Sequence, residues 1–203
     1  MDIIFATRNP TKTIEIKTML ANYKVRILTL SETCIAGEAI EDGLTLEENA
    51  SKKVEHAAAQ LNDPSWIMAD DSGIFITALN GEPGIRSARW AGDTATTEEI
   101  MWHTLKQLNG IKDRSAVLET AIVLQSPKGE KFYFNGRTPG WLAESPKTAP
   151  KPAMPYTAIF SPDATSKVMA ELSIAEQKNV SSRGKAILMV AEFLKNILGA
   201  DRQ

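Results

Sequence analysis

The chain opens on an apolar run, Asp2-Ile3-Ile4-Phe5-Ala6-Thr7, that breaks at the polar turn Thr7-Arg8-Asn9-Pro10. That pattern predicts a short buried strand ended by the turn. Ile14, Met19 and Leu20 predict a helix to about Ala21, and Val25-Arg26-Ile27-Leu28-Thr29-Leu30 predicts a second strand. Strand–helix–strand at the start implies a parallel crossover. An acidic loop spans Gly37 to Gly43. A long helix then begins near Thr45, where Glu48 three residues on makes a capping box. It runs through Ala57-Ala58-Ala59 and stops before Asn62-Asp63-Pro64.

Trp66-Ile67-Met68-Ala69-Asp70-Asp71 reads as a strand ending in two carboxylates, and Ile74 to Leu79 as another before the turn Asn80-Gly81. Thr96 or Thr97 caps a helix to Leu108. Val117 to Gln125 and Lys131 to Asn135 form a hairpin across Ser126-Pro127-Lys128-Gly129. The proline-rich stretch 136–163 reads as loop, with one short strand, Tyr156-Thr157-Ala158-Ile159-Phe160. Helices follow at about Ser166–Glu171 and Ser182–Leu198, the last ending at Gly199. The expected fold is mixed α/β: a largely twisted sheet with flanking helices, in two lobes around a deep cleft.

Composition narrows the classes. The 203 residues are 43% hydrophobic and 24% charged, which suits one globular domain over 1–203 and excludes general disorder. A net charge of -2 excludes coating of nucleic acid by bulk charge. The single cysteine, Cys34, excludes an intrachain disulfide. Two distant histidines, His56 and His103, make a poor metal set and each reads as structural. No apolar run is long enough to span a membrane, and the start carries no export signal, so the expected location is the cytoplasm.

Several segments could carry chemistry. Thr7-Arg8-Asn9-Pro10-Thr11-Lys12 joins a strand end to a helix start. Short polar side chains, free backbone N–H groups and a lysine suit an anion there, although an ordinary capped turn has the same look. Glu41 precedes a helix in which Lys53 lies about two turns from the N-terminus, a place from which it reaches a ligand or solvent. In Asp70-Asp71-Ser72-Gly73 two adjacent carboxylates follow an apolar run. Keeping both charged requires compensation, and a hard divalent ion such as Mg²⁺ provides it. Successive strand residues face opposite ways, so the two carboxylates have different jobs. Pro83 to Gly92, with Arg86, Arg89 and Trp90, suits a phosphate or a partner chain. Ser181-Ser182-Arg183-Gly184-Lys185 opens the last helix, where cations beside the N-terminus suit an anion or a base edge.

Taken in order, these segments become specific. Thr7-x-Asn9-x-x-Lys12 comes first, then Glu41-x-Gly43-x-Thr45-x-x-Glu48-Asn49-Ala50-x-x-Lys53 and Ala69-Asp70-Asp71-Ser72-Gly73. Pro83-Gly84-x-x-Ser87-Ala88-Arg89, Ala91-Gly92 and Ser181-x-Arg183 complete the series. The chain resembles, nearly end to end, the house-cleaning inosine/xanthosine triphosphate pyrophosphatase family. The resemblance implies Mg²⁺-dependent hydrolysis of a nucleoside triphosphate to monophosphate and pyrophosphate, usually by a homodimer, with no nucleic-acid or membrane partner. By position, Thr7, Arg8, Asn9 and Lys12 hold phosphates and Lys53 adds a second cation. Glu41 and Asp71 hold the metal, Asp71 activates water, and Asp70 and Ser72 stand beside it.

The base pocket departs from the family's pattern. The family's Gly-Phe-Gly-Tyr-Asp-Pro is here Ala153-Met154-Pro155-Tyr156-Thr157-Ala158. Its Ser-His-Arg is Ser181-Ser182-Arg183, and its lysine is Gln177 beside Lys178. Met154, Tyr156, Thr157, Gln177, Ser182 and Arg183 are therefore the expected base-side residues. Arg183 and Thr157 are expected to read the base edge, with Arg183 favouring keto groups. Two other readings remain open on the same fold: a non-catalytic nucleotide-binding regulator, and a pyrophosphatase for a modified nucleotide in a specialised pathway.

Overall fold

Asp2–Phe5 (β1) pairs parallel with Arg26–Thr29 (β2), Ile3 opposite Ile27, and Pro10–Met19 (α1) makes the crossover. The opening of the chain is therefore as expected. The computed structural model describes residues 1–200; residues 201–203, the end of the span read as one domain, lie outside them. Trp66–Ile76 (β3), reached through Leu46–Ala58 (α2), lies parallel on the other side of β1. Pro83–Gly84 (β4) pairs with the far end of β3. Thr97–Gln107 (α3) leads into Ser115–Gln125 (β5), Lys131–Leu142 (β6) and Phe160–Pro162 (β7). These three add antiparallel strands, giving the order β2-β1-β3-β5-β6-β7. Ile174–Val180 (α4) and Ser182–Ala200 (α5) finish the described chain.

Strand alternation sorts the core. Ile3, Phe5, Met68, Ile122 and Leu124 face α1 and α5, against Ile16, Ile187 and Leu194. Ile4, Ile67, Ala69 and Val123 face the other way, onto Ala50, Val54 and Ala57 of α2. Burying both faces explains why these strands read as continuous apolar runs. A third cluster joins Ile74, Ile76 and Ala116 to α3 and to Tyr156, Ile159 and Phe160. Among the described residues, no helix is long and apolar enough to cross a membrane.

Five expectations need correction. Asp70 and Asp71 do not end a strand: β3 continues through Ser72 and Gly73 to Ile76. Gly73 signals close approach here, because a Cβ at that position would lie 2.4 Å from the Gly84 carbonyl oxygen. The hairpin's second arm runs on to Leu142 through Gly136, Pro139 and Gly140, where a loop was expected. A Cβ on Gly136 would sit 2.0 Å from the Ser182 carbonyl oxygen, so this glycine lets the start of α5 rest on the sheet. Tyr156 lies in a 3₁₀ turn, Pro155–Ala158, and the strand is confined to Phe160–Pro162. Near the C-terminus, only Met169–Glu171 coils as 3₁₀, while α4 arises from the capping box of Ser173 and Glu176. The box at α2 is half as expected: Thr45 Oγ1 accepts from Glu48 N, but Glu48 Oε2 takes Leu44 N.

Candidate active site

The first turn of α1 is built by one side chain. Asn9 Oδ1 accepts from Thr11 N and Lys12 N at 3.0 and 3.2 Å, and Pro10 occupies the first helical position. Asn9 Nδ2 donates to Ala153 O, and Thr11 Oγ1 to Pro152 O. The turn is thereby latched to the loop before Tyr156, in which Ala153 holds a left-handed φ of 55°. Arg8 donates to Gly37 O at 2.8 Å and ties the same turn to the acidic loop. Together these segments border a cleft of about 380 Å³ beyond the carboxyl ends of β1 and β2. In open α/β sheets ligands sit at such strand ends.

The cleft contains a chain of alternating charges. Lys12 Nζ is 3.0 Å from Asp70 Oδ2. Arg183 bridges Asp70 Oδ2 at 3.0 Å through Nε and Glu15 Oε2 at 2.7 Å through Nη1. Lys53 Nζ stands between Asp71 Oδ1 at 2.8 Å and Glu41 Oε2 at 3.1 Å, and also donates to Asp70 O. Burial works against the Asp70 charge, but Lys12, Arg183 and Lys53 outweigh it and hold that carboxyl well below the usual range. Burial pushes Asp71 up, although Lys53 and Lys12 oppose the shift. Burial likewise disfavours the Lys53 ammonium, yet Asp71, Glu41 and Asp70 raise it above lysine's ordinary value. Lys12 is pushed down by burial in spite of Asp70.

The adjacent carboxylates differ as alternation requires. Asp71 borders the cleft, whereas the Asp70 side chain is wholly buried beneath Lys12 and Arg183. Glu41, Lys53, Asp71, Lys12 and Ser72, expected together, do meet in this cleft. The base-side set also borders it, but several members are already engaged. Arg183 gives donors to Asp70, Glu15 and Ser72, so it is not a free arm reaching for a base edge. Thr157 Oγ1 donates to Met154 O and accepts from Lys151 N, so it staples its own loop. Gln177 is buried and donates from Nε2 to Met169 O and Leu172 O. Tyr156 donates to Ser87 O, while Lys178 turns away to Met19 O. Ser182 Oγ lies 2.8 Å from Thr120 Oγ1, itself 2.9 Å from Ser72 Oγ, giving a row of hydroxyls.

Sequence reasoning missed Glu15 and Thr120, and it placed Asn49 in a motif without giving it a task. Glu15 is one helical turn past Lys12 and faces the same side, a signal that spacing alone carries. His56, read as structural, borders the cleft one turn beyond Lys53, with Nε2 2.9 Å from Ala36 O. The loop from Pro83 to Gly92 does not border the cleft with its arginines. Arg89 donates instead to Glu41 O, and Trp90 packs edge-on to His103.

A profile of the Ham1 family matches residues 3–193. The chain belongs to the Ham1 family. A relative from Leuconostoc mesenteroides subsp. mesenteroides, named a dITP/XTP pyrophosphatase, is 38% identical over 192 residues, 92% of this chain and 93% of its own. Another of that name, from Desulfotalea psychrophila, is 38% identical and is matched over 91% of this chain and 81% of its own. Among solved structures, the Ham1 protein of Staphylococcus aureus superposes with a TM-score of 0.81 at 33% identity, over 97% of this chain and all of that one. The HAM1 protein of Coxiella burnetii gives 0.82 at 30% identity, over 97% and 99%. The resemblance read from the motifs and the mixed sheet with flanking helices are thus those of Ham1 proteins.

Proposed function

We propose that this Ham1 protein hydrolyses a nucleoside triphosphate to its monophosphate and pyrophosphate. The observation that carries the reading is the meeting of Lys12 and Lys53 with Glu41 and Asp71 in one cleft. The names of the relatives, dITP/XTP pyrophosphatases, support a non-standard purine as the base. Intact charges at all four positions argue against a non-catalytic regulator.

The donor set suits Mg²⁺. Glu41 and Asp71 are hard oxygen donors that already converge on one cation, the Lys53 ammonium. Among the described residues, no group of three His, Cys, Asp or Glu side chains is placed to hold a metal. Two carboxylates are nonetheless enough for Mg²⁺ where phosphate oxygens complete its shell. Glu41 and Asp71 would hold it, and it would neutralise charge on the phosphates.

The remaining work falls to the chain. The Thr7–Lys12 turn offers the Lys12 ammonium to the phosphates and Lys53 adds a second cation, while the N–H groups of Asn9, Thr11 and Lys12 are held by Thr7 Oγ1 and Asn9 Oδ1 and shape the turn. Asp70, buried beneath Lys12, acts as a positioning residue that aims its ammonium. Asp71 orients a water and accepts its proton as the water oxygen bonds to the α-phosphorus, while the bond from that phosphorus to the α–β bridging oxygen breaks and pyrophosphate leaves. Its buried setting raises its affinity for that proton.

The test is a panel of dITP, XTP, dGTP and dATP with Mg²⁺, scored for monophosphate, pyrophosphate and orthophosphate. Pyrophosphate with monophosphate is expected; orthophosphate as the first product refutes the reaction. Lys12→Ala and Lys53→Ala should each lower kcat/KM by about 10- to 100-fold, the worth of a charge-assisted hydrogen bond. The loss should be equal for every base, since both ammonium groups sit among carboxylates. A changed order of base preference in either variant would show that its lysine touches the base.

A further inference from the structure

We propose that Asn49 is the positioning residue that fixes the separation of the Glu41 and Asp71 carboxylates, and through it the cation site. This rests on the reading of Glu41 and Asp71 given above. Asn49 lies in the first turns of α2 and is 1% exposed. Its Oδ1 accepts from Gly43 N at 2.8 Å, and its Nδ2 donates to Asp71 Oδ2 at 3.3 Å. Gly43 is two residues past Glu41, on a segment without regular secondary structure. One amide therefore joins the strand that carries one carboxylate to the loop that carries the other. Lys53 closes the ring from the opposite side, through Asp71 Oδ1 and Glu41 Oε2.

Chemistry fixes the orientation of that amide. A backbone N–H can only donate and an ionised carboxylate can only accept, so Oδ1 must face Gly43 and Nδ2 must face Asp71. Asparagine supplies both functions at this reach. Aspartate keeps the acceptor and sets two carboxylates against each other. Alanine removes both bonds and frees the loop from the strand. Further ties on this loop, among them Arg89 to Glu41 O, Arg8 to Gly37 O and Lys52 to Asp42, hold it from outside without touching Asp71. Groups that orient metal ligands in this way typically change metal affinity or activity by about 10- to 100-fold when altered.

Two substitutions separate positioning from plain loop anchoring. Asn49→Asp retains the acceptor for Gly43 N, so a residue that only anchors the loop would tolerate it. The expected result is a kcat for dITP lowered about 10- to 100-fold in protein that stays folded at the assay temperature, with a thermal midpoint reduced by the two facing carboxylates. Asn49→Ala is read without turnover, by Mn²⁺ binding followed from the electron paramagnetic resonance signal of the free ion. A non-hydrolysable α,β-imido analogue of dITP is present in that assay. Its Mn²⁺ Kd should rise about tenfold or more. Asn49→Asp with wild-type kcat, or folded Asn49→Ala with wild-type Mn²⁺ affinity, overturns the proposal and leaves the reaction assignment standing. If Asn49→Ala does not fold, the aspartate variant decides alone. Wild-type protein that releases no pyrophosphate and binds no Mn²⁺ overturns the functional reading, and this proposal with it.

Discussion

Asp71→Asn should leave a folded protein that binds triphosphate and does not turn it over. The substitution keeps the shape of the side chain and removes its capacity to accept a proton. Loss of a general base lowers kcat by about 10²–10⁴-fold. The fold should hardly notice. Asn49 Nδ2 can still donate to an amide oxygen at position 71, and Lys53 keeps Glu41 at 3.1 Å and Asp70 O at 3.2 Å. A loss of about 1 kcal/mol, one net hydrogen bond, is expected in urea unfolding. Steady-state pyrophosphate release checks the first part. A variant that keeps about a tenth or more of wild-type kcat removes Asp71 from the role of base.

Arg183→Met should do the reverse and strike stability hardest. The guanidinium is buried and is shared by Asp70 and Glu15, themselves buried. Methionine fills much of the volume and leaves two carboxylates without that partner. Breaking a buried pair from one side costs about 3–5 kcal/mol, because a charge remains without compensation. Urea unfolding at neutral pH measures it; a loss under about 1 kcal/mol would show that water reaches these carboxylates. The pH dependence follows from the sign of the Asp70 shift. Its folded pKa lies below the ordinary 3.8, so its stabilising contribution is present above that value. It is lost only as pH falls through the lower, folded value. Without Arg183 that folded value rises, and acid unfolding should begin at higher pH.

The sequence made the parallel opening and the phosphate-side residues legible because their signals are local. An apolar run, a capping residue and a lysine one turn later lie within twelve residues of the start. What it hid was long-range. Arg183 meets Glu15 across 168 residues, and no spacing rule links them. Glycine misled twice for one reason. Gly73 and Gly136 suggest turns, yet each lies inside a strand where another backbone passes too close for a Cβ. Pro139 strengthened the error, since proline reads as a break although β6 carries it between β5 and β7. On the base side, residue type does not reveal prior engagement. Thr157 and Arg183 look available until their partners are seen.

The row formed by Ser72, Thr120 and Ser182 has a property that a histidine at position 182 would lack. Each hydroxyl donates once and accepts, so the three protons can all point one way or all point the other. At one end Arg183 Nη2, which can only donate, reaches Ser72 Oγ at 3.4 Å and biases the row only weakly towards Ser72 donating to Thr120. Ser182, at the other end, can therefore meet a ligand oxygen as a donor or a ligand N–H as an acceptor, with no heavy atom moving. The cleft floor is in this sense ambidextrous: rotation of three O–H bonds, within picoseconds to nanoseconds, adapts it to opposite hydrogen-bonding edges.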